Sequence, residues 1–480
     1  MESGPFIFYW GKILIFVNKN PMKISKITVT SLYGYLNINI DFNGEIDILV
    51  GINGSGKTSV LNIINWMLRP SIEDLSTTEF ERIEIIFFHK KQKYTITAKQ
   101  NRNESLQLWI EGKGFVKNKN VIRVKFKKNT KEFTKNPLIR DEFIKSYKEL
   151  RPTQSEEKTF AFLRGIPSPI NIGLDRSLSK VSEEIQMSKA GIQFFQIGRE
   201  EPRKESPIEH VLTLSKKAYD KYQNDLLRLN DQLKAKIILS SFETSNLATD
   251  GLPRLPARDI DRVHKRINQY FKQQLYSDKS LFPEKKEMEK LEKEVSTFFD
   301  TVKNISKKFS NANSDTLASI DYMVNFNSFT KVQLLFDEFE TFDQKSTEAF
   351  ASIKKYLDTI NACFQDTGKK LNFSEKTGEL YFDQLDKAGN HLGTNRNLRS
   401  LSSGEKQLLI LFTYLSFNQD EDKIFIIDEP ELSLHPKWQE EFLPSVKKLM
   451  PSTAQIICAT HSPSLVGNFV DQCHVLLPYS

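Results

Sequence analysis

Three short stretches of this sequence carry residues that could bind and cleave a phosphate chain. The first is GINGSGKT, Gly51–Thr58, which fits the pattern G-x-x-x-x-G-K-T. Glycines let such a loop curl until successive N–H groups point inward at a β-phosphate. Asn53, Gly54, Ser55 and Gly56 would form the cradle, and Ser59 would stand at the start of the following helix, whose N-terminus favours anions. Lys57 would reach the β- and γ-phosphate oxygens, and the Thr58 hydroxyl would ligate Mg2+. The second stretch, IFIIDEP, places Asp428 and Glu429 side by side after an apolar run. Asp428 could hold the metal and Glu429 could deprotonate an attacking water. The third, ATHSP, puts His461 after another apolar run, where an imidazole could bond a γ-phosphate. A structural alternative exists for the carboxylate pair, which could cap a helix instead.

A fourth stretch, LSSGEKQ, offers Ser402, Ser403 and the Gly404 N–H at the start of a helix. That is a second anion site, although one ATP needs only one cradle. The economical reading is that Ser402 and Gly404 cap a γ-phosphate held by another copy of the chain. Two copies would then sandwich two ATP molecules.

These residues need elements to hold them. IDILV before the glycine loop reads as a buried strand. After the loop, Val60, Leu61, Ile64 and Leu68 recur at helical spacing. ERIEIIFF, KYTITAK, SLQLWIEG and NVIRVKFKK then suggest an antiparallel meander. From about residue 205 the pattern becomes helical. Met288, Leu291, Val295, Phe298, Val302, Ile305 and Phe309 are spaced as a heptad seam, and Tyr222, Leu226, Leu229, Leu233 and Phe350, Ile353, Leu357, Ile360, Phe364 repeat that spacing. A narrow seam favours an antiparallel coiled-coil-like arm over a helical bundle. From Lys370 strands return, with a hairpin turning at Gly378. The expected fold class is therefore α/β: a mixed sheet with helices assembled from both chain ends, with a helical insertion. The expected division is 1–21 as an extension outside the core, 22–204 and 370–480 as the two lobes, and 205–369 as the insertion.

Composition describes a globular chain: 39% of residues are hydrophobic and 27% charged, which excludes a disordered chain. No apolar run reaches membrane-spanning length. Cys363, Cys458 and Cys473 form no C-x-x-C pair, which argues against a disulfide framework and points to the cytoplasm. The leader before Met22 is apolar but lacks a basic n-region and a cleavage site; Met22 reads as the functional start, with a short membrane anchor as the competing idea. The net charge is +7, yet residues 86–151 hold 18 Lys and Arg against 6 Asp and Glu. In NVIRVKFKK, Ile122, Val124 and Phe126 would face one way and Arg123, Lys125 and Lys127 the other. That positive face suits either plain solvation or nucleic-acid phosphates.

Gly51–Thr58, Leu401–Gln407, Ile424–Glu429, ELSLHP (Glu431–Pro436) and Ala459–Pro463 stand in the order of ABC-type ATPase heads. With its helical insertion the chain resembles the SMC, RecF and OLD-like group of that family. The resemblance implies ATP and Mg2+ as ligands, an ATP-dependent head-to-head dimer, Glu429 as catalytic base and His461 as switch histidine. It departs from the family in two places. His435 occupies the dimer-contact loop, and no convincing glutamine loop appears, Gln154, Gln193 and Gln196 all being open.

Within that group the chain is similar to the ATPases of Septu and retron-associated anti-phage systems, on SLHP, CATHSP and PSPINIGLDRSL. This implies an HNH-type effector nuclease as partner, with higher oligomers built from dimers. DNA, RNA or a retron msDNA–reverse transcriptase complex are further partners under the same likeness. Two alternatives are a PARIS-like ATPase restraining a TOPRIM nuclease and a DNA-repair clamp that binds DNA directly. Only a short segment follows His461 and the seven histidines are scattered, so the chain itself does not read as a nuclease.

Overall fold

Alternation of buried and exposed residues builds the first layer. In the computed structural model, which describes residues 22–478 except 102–103, 117–119, 128–139, 141–142, 145, 148–149, 151–152, 173–206, 243–253, 273–284, 312–315 and 419–422, the chain opens with β1 (Lys23–Leu32) and β2 (Leu36–Asp41). The apolar run Ile46–Val50 is β3, and Lys57–Leu68 is helix α1, followed by the short α2 (Ile72–Thr77). Then β4 (Arg82–His89), β5 (Gln92–Asn101), β6 (Ser105–Gly112) and β7 (Ile122–Lys125) run antiparallel. With β1 and β2 they form a six-stranded sheet in the order β2-β1-β4-β5-β6-β7. One face of it is sealed by Ile27, Ile85, Ile96, Leu108 and Ile122, in one core cluster with α1. The strand expected through Lys127 ends at Lys125 instead. Phe126 and Lys127 lie beyond it, and the Lys127 N–H donates to the Tyr147 hydroxyl rather than to a strand.

After α3 (Glu157–Gly165) and β8 (Ile170–Ile172) the chain becomes helical: α4 (Pro207–Phe242), α5 (Ala257–Tyr270), α6 (Lys285–Asn311) and α7 (Thr316–Phe364). The fold is thus mixed α/β with an inserted helical segment. Two compact units divide it, one holding residues up to Ala218 with those from Ile353 onward, the other Tyr219–Ser352.

The second unit has its own small core of Ile260, Val263 and Ile267 from α5, Phe299 and Val302 from α6, and Phe329 from α7. Among the described side chains of α6 the buried positions are Phe299, Val302 and Ser306, and Met288 of the expected seam lies outside them. Leu291, Val295, Phe298, Ile305 and Phe309 of the expected seam are half-buried. The reason is packing against two helices at once, which widens the buried face and turns it about one residue from the seam. Arg266 of α5 pairs with Asp337 and Glu340 of α7 at 2.5 Å, and those carboxylates hold the guanidinium charged.

Strands resume with β9 (Lys369–Phe373), β10 (Leu380–Leu385) and β11 (His391–Arg396) in a three-stranded antiparallel sheet. Gly378 takes φ 67 between β9 and β10, as a hairpin turn requires. Next come α8 (Ser403–Phe417), β12 (Ile424–Asp428), α9 (Pro436–Leu449), β13 (Gln455–Thr460), the single turn α10 (Pro463–Val466) and β14 (Cys473–Val475). These last strands complete a five-stranded parallel sheet, β14-β3-β13-β12-β8. Strands from both chain ends therefore share one sheet. Among the described residues no helix is long and apolar enough to cross a membrane. The readings made on residues 1–21, on Gln193 and Gln196, and on residues 173–178 lie outside the described residues.

Candidate functional site

Strand order explains why residues far apart in sequence meet. β13 lies between β3 and β12, all parallel, with Val50 opposite Thr460 and Ala459 opposite Asp428. The glycine loop after β3, His461 after β13 and the carboxylates ending β12 therefore emerge together at the carboxyl end of the sheet. That is where ligands bind in open α/β folds. The short apolar strands are buried on both faces, which fixes their ends firmly.

The loop itself is shaped by glycine. Gly56 takes φ 95, and a Cβ there would stand 2.6 Å from Leu36 Cδ2. Asn53 and Gly54 form the exposed tip, while the Ser55 hydroxyl is buried and has no hydrogen-bond partner among the described residues. Ser59 Oγ lies 3.3 Å from the Tyr33 hydroxyl of the β1–β2 hairpin. Lys57 folds inward: its ammonium donates to the carbonyls of Gly51 at 3.0 Å and Ile52 at 3.3 Å, and to His461 Nε2 at 2.7 Å. Burial lowers the Lys57 pKa below its ordinary value, opposed by the charges of Glu429, Asp428 and Glu431.

The Thr58 hydroxyl donates to Asp428 Oδ1 at 3.3 Å. Burial raises the Asp428 carboxyl above the usual carboxylate range, with the Thr58 hydrogen bond pulling the other way. Glu429 follows at φ 45, ψ 55, a left-handed conformation that non-glycine residues rarely hold. Strain of this kind gathers at working sites. Its carboxylate stands 3.6 Å from His461 Nε2, and its N–H continues the ladder to the Ala459 carbonyl.

This donor set fits MgATP. A curled loop with an unpartnered buried hydroxyl and a buried ammonium suits a phosphate chain. A threonine hydroxyl beside one aspartate suits Mg2+, which takes few protein ligands and completes its shell with phosphate oxygens and water. Thr58 and Asp428 would hold the ion, which supplies charge neutralisation on the β- and γ-oxygens. Among the described residues there is no cluster of three or more His, Cys, Asp or Glu side chains able to hold a metal.

A family model for the AAA ATPase domain matches residues 22–466. The chain belongs to this AAA ATPase family. Shorter stretches resemble two further proteins. Over 48 residues it is 46% identical to the Septu protein PtuA of Bacillus thuringiensis, covering 10% of this chain and 12% of that protein. Over 109 residues it is 29% identical to the UvrABC system protein A of Mycoplasmopsis pulmonis (strain UAB CTIP), covering 22% of this chain and 11% of that protein. In both cases the match spans only a small part of the relative's length. An AAA-type ATPase domain that binds nucleotide follows from the family.

The remaining sequence candidates of this AAA ATPase lie elsewhere or are engaged differently. Ser402 is the N-cap of α8 in a capping box: its hydroxyl accepts from the Glu405 N–H at 3.4 Å and its own N–H donates to Glu405 Oε2 at 2.7 Å. Glu405 is buried and paired with Lys369 at 2.8 Å. Gly404 is required by packing, since a Cβ would stand 2.4 Å from the Ser433 carbonyl. No hydrogen bond among the described residues joins Ser402 or Gly404 to Gly51–Thr58. His435 caps α9, accepting from the Lys437 N–H at 3.4 Å. Gln154 is exposed. Arg123 and Lys125 are exposed on β7, the edge of the antiparallel sheet, and Lys127 just beyond it.

Sequence reasoning passed over Glu431, Gln407 and Gln439. Glu431 Oε1 accepts the His461 N–H at 2.7 Å. Gln407 of α8 donates to the Pro430 carbonyl at 3.0 Å, and Gln439 of α9 to the Leu434 carbonyl at 3.0 Å. The signal available was the second acidic residue in DEPE.

Proposed function

We propose that this chain is an ATPase that closes head to head with a second copy around two ATP molecules and thereby regulates a separate effector nuclease, of HNH type, in bacterial anti-phage defence. The observation that carries the ATPase reading is the meeting of Thr58 with Asp428, because it joins the phosphate loop to the strand-end carboxylates across the sheet. In this reading Lys57 binds the β- and γ-oxygens. Glu429 takes a proton from the attacking water, and His461, within reach of both Lys57 and Glu429, bonds the γ-phosphate. The defence reading rests on the 46% identity with the Septu protein PtuA.

The second cradle acts in trans. Ser402 is exposed at the N-terminus of α8, away from its own phosphate loop in the hydrogen-bond network, which supports a role on a partner's nucleotide. Ser402→Arg is expected to abolish the ATP-dependent dimer in sedimentation or light scattering. Loss of the cap costs about 1 kcal/mol of folding stability, so the monomer stays folded. A normal ATP-dependent dimer in that variant removes the shared-nucleotide model. The defence role is tested by co-expression with a nuclease encoded beside the gene, comparing phage plating with and without Lys57→Ala. No neighbouring HNH gene, and no complex by mass, overturns it in favour of a TOPRIM partner or a repair clamp.

Direct nucleic-acid binding has one specific observation in its favour. Arg82, Lys99, Gln107 and Arg123 stand opposite one another across β4, β5, β6 and β7, with Ser105 and Lys125 in the adjoining row. Like charges directly opposite destabilise a sheet, so an anion lying along the row offsets a real cost. Arg82 is also held by Glu84 at 3.2 Å, whereas Lys99, Arg123 and Lys125 are exposed. Charge reversal at Arg123 and Lys125 is expected to flatten the salt dependence of DNA or RNA affinity, by about two in the log–log slope. An unchanged slope excludes this face.

A further inference from the structure

A buried carboxylate oxygen without a donor is costly, and such an atom at a working site asks for a role. Glu431 has one. It lies in the turn Pro430–Ser433, directly after the left-handed Glu429. Its Oε1 is taken by the main-chain N–H of His461 at 2.7 Å, while its Oε2 is buried with no hydrogen-bond partner among the described residues. Its charge acts on both Lys57 and Asp428.

The turn is gripped from three sides. Gln407 holds the Pro430 carbonyl from α8, at 3.0 Å. Gln439 holds the Leu434 carbonyl from α9, and Ser462 donates to Gln439 Oε1 at 2.6 Å. The bond from Glu431 to His461 closes this network on the loop after β13. Moving the turn therefore moves Glu429 and His461 together.

We propose that Glu431 is a positioning residue for ATP hydrolysis: one oxygen fixes the His461 backbone against the Glu429 turn, and the other is an acceptor held ready for a donor of the nucleotide site. This rests on the reading of the site as an ATPase site. It assigns Glu431 no proton transfer and no direct bond to the phosphates. Its contribution is to set the distance between base and switch histidine.

Two variants separate the two oxygens. Glu431→Gln keeps an acceptor for the His461 N–H but places an NH2 where the second oxygen stood, whereas Glu431→Ala removes both acceptors. Glu431→Gln is expected to lower kcat about 10-fold, for losing the charge, and Glu431→Ala about 100-fold, for losing the charge and the bond from the His461 N–H together. KM and the affinity for a non-hydrolysable ATP analogue should change far less than kcat, because Lys57 and Thr58 stay in place and only the Glu431 charge acting on Lys57 is lost. Hydrogen exchange of a peptide covering residues 458–466 should quicken in Glu431→Ala but not in Glu431→Gln. That readout needs no turnover. If wild type hydrolyses no ATP the ATPase reading fails, and unchanged exchange in Glu431→Ala still overturns the tether separately. With wild-type turnover established, kcat within about 2-fold of wild type in Glu431→Ala overturns the proposal. So does a parallel fall of kcat, nucleotide affinity and melting temperature, which marks a merely structural residue.

Discussion

Glu429→Gln is expected to lower kcat for ATP hydrolysis by about 10²–10⁴-fold, the range for removing a positioned general base, while leaving nucleotide affinity unchanged. Glutamine matches the shape of glutamate, and the backbone bond that extends the β12 end does not use the carboxylate. The Glu429 N–H still donates to the Ala459 carbonyl at 2.9 Å, and glutamine is no worse than glutamate at φ 45. What disappears is the ability to accept a proton 3.6 Å from His461 Nε2. Since binding persists without cleavage, ATP should trap a long-lived dimer of the variant, visible as a stable shift in mass. Turnover at the wild-type rate would remove Glu429 from the role of base. Glu431, the next carboxylate along the turn, would then be the residue to exchange.

Much of this site is legible because its parts obey local rules. A glycine loop between a buried strand and a helix, and acidic or imidazole side chains just past apolar strands, need no tertiary knowledge to recognise. The alternation in β4–β7 likewise settles which residues face the core, down to Ile122 and Val124 inside and Arg123 and Lys125 outside. What escapes depends on partners that sequence does not order in space. Phe299 looks like a residue beside the seam until α5 and α7 are both seen to pack on α6. That the Ser402 hydroxyl serves a capping box with Glu405, and that Gly404 answers to the Ser433 carbonyl, also depends on such partners. Glu431 looks like a loop residue because its partner, the His461 N–H, arrives from a different strand. The parallel order β3-β13-β12 is the single fact that converts separate motifs into one site, and a crossover order is not encoded in any one strand.

Lys57→Ala is the other large expected effect, and its direction follows from how the ammonium is held. Burial disfavours the charge, while Glu429, Asp428 and Glu431 favour it, and the carbonyls of Gly51 and Ile52 take two of its protons. A cation confined in this way is already largely dehydrated, so a phosphate that takes the place of His461 or a carbonyl beside it meets its charge with little further loss of water. Removing one member of a buried charged pair weakens binding by about 2–5 kcal/mol, which is about 30- to several thousand-fold in Kd. Folding should change much less, because the same substitution removes a buried charge as well as its bonds. The clean measurement is therefore the melting shift produced by MgATP. At 100 times Kd a ligand adds about 2.7 kcal/mol of stability, and at the same ligand concentration Lys57→Ala should keep about a third of that or less. Lys57→Met separates charge from packing, since its stem fills nearly the same space beside His461. If the methionine variant retains the full MgATP-induced shift, the ammonium is not the phosphate ligand, and the glycine loop must bind through its N–H groups alone.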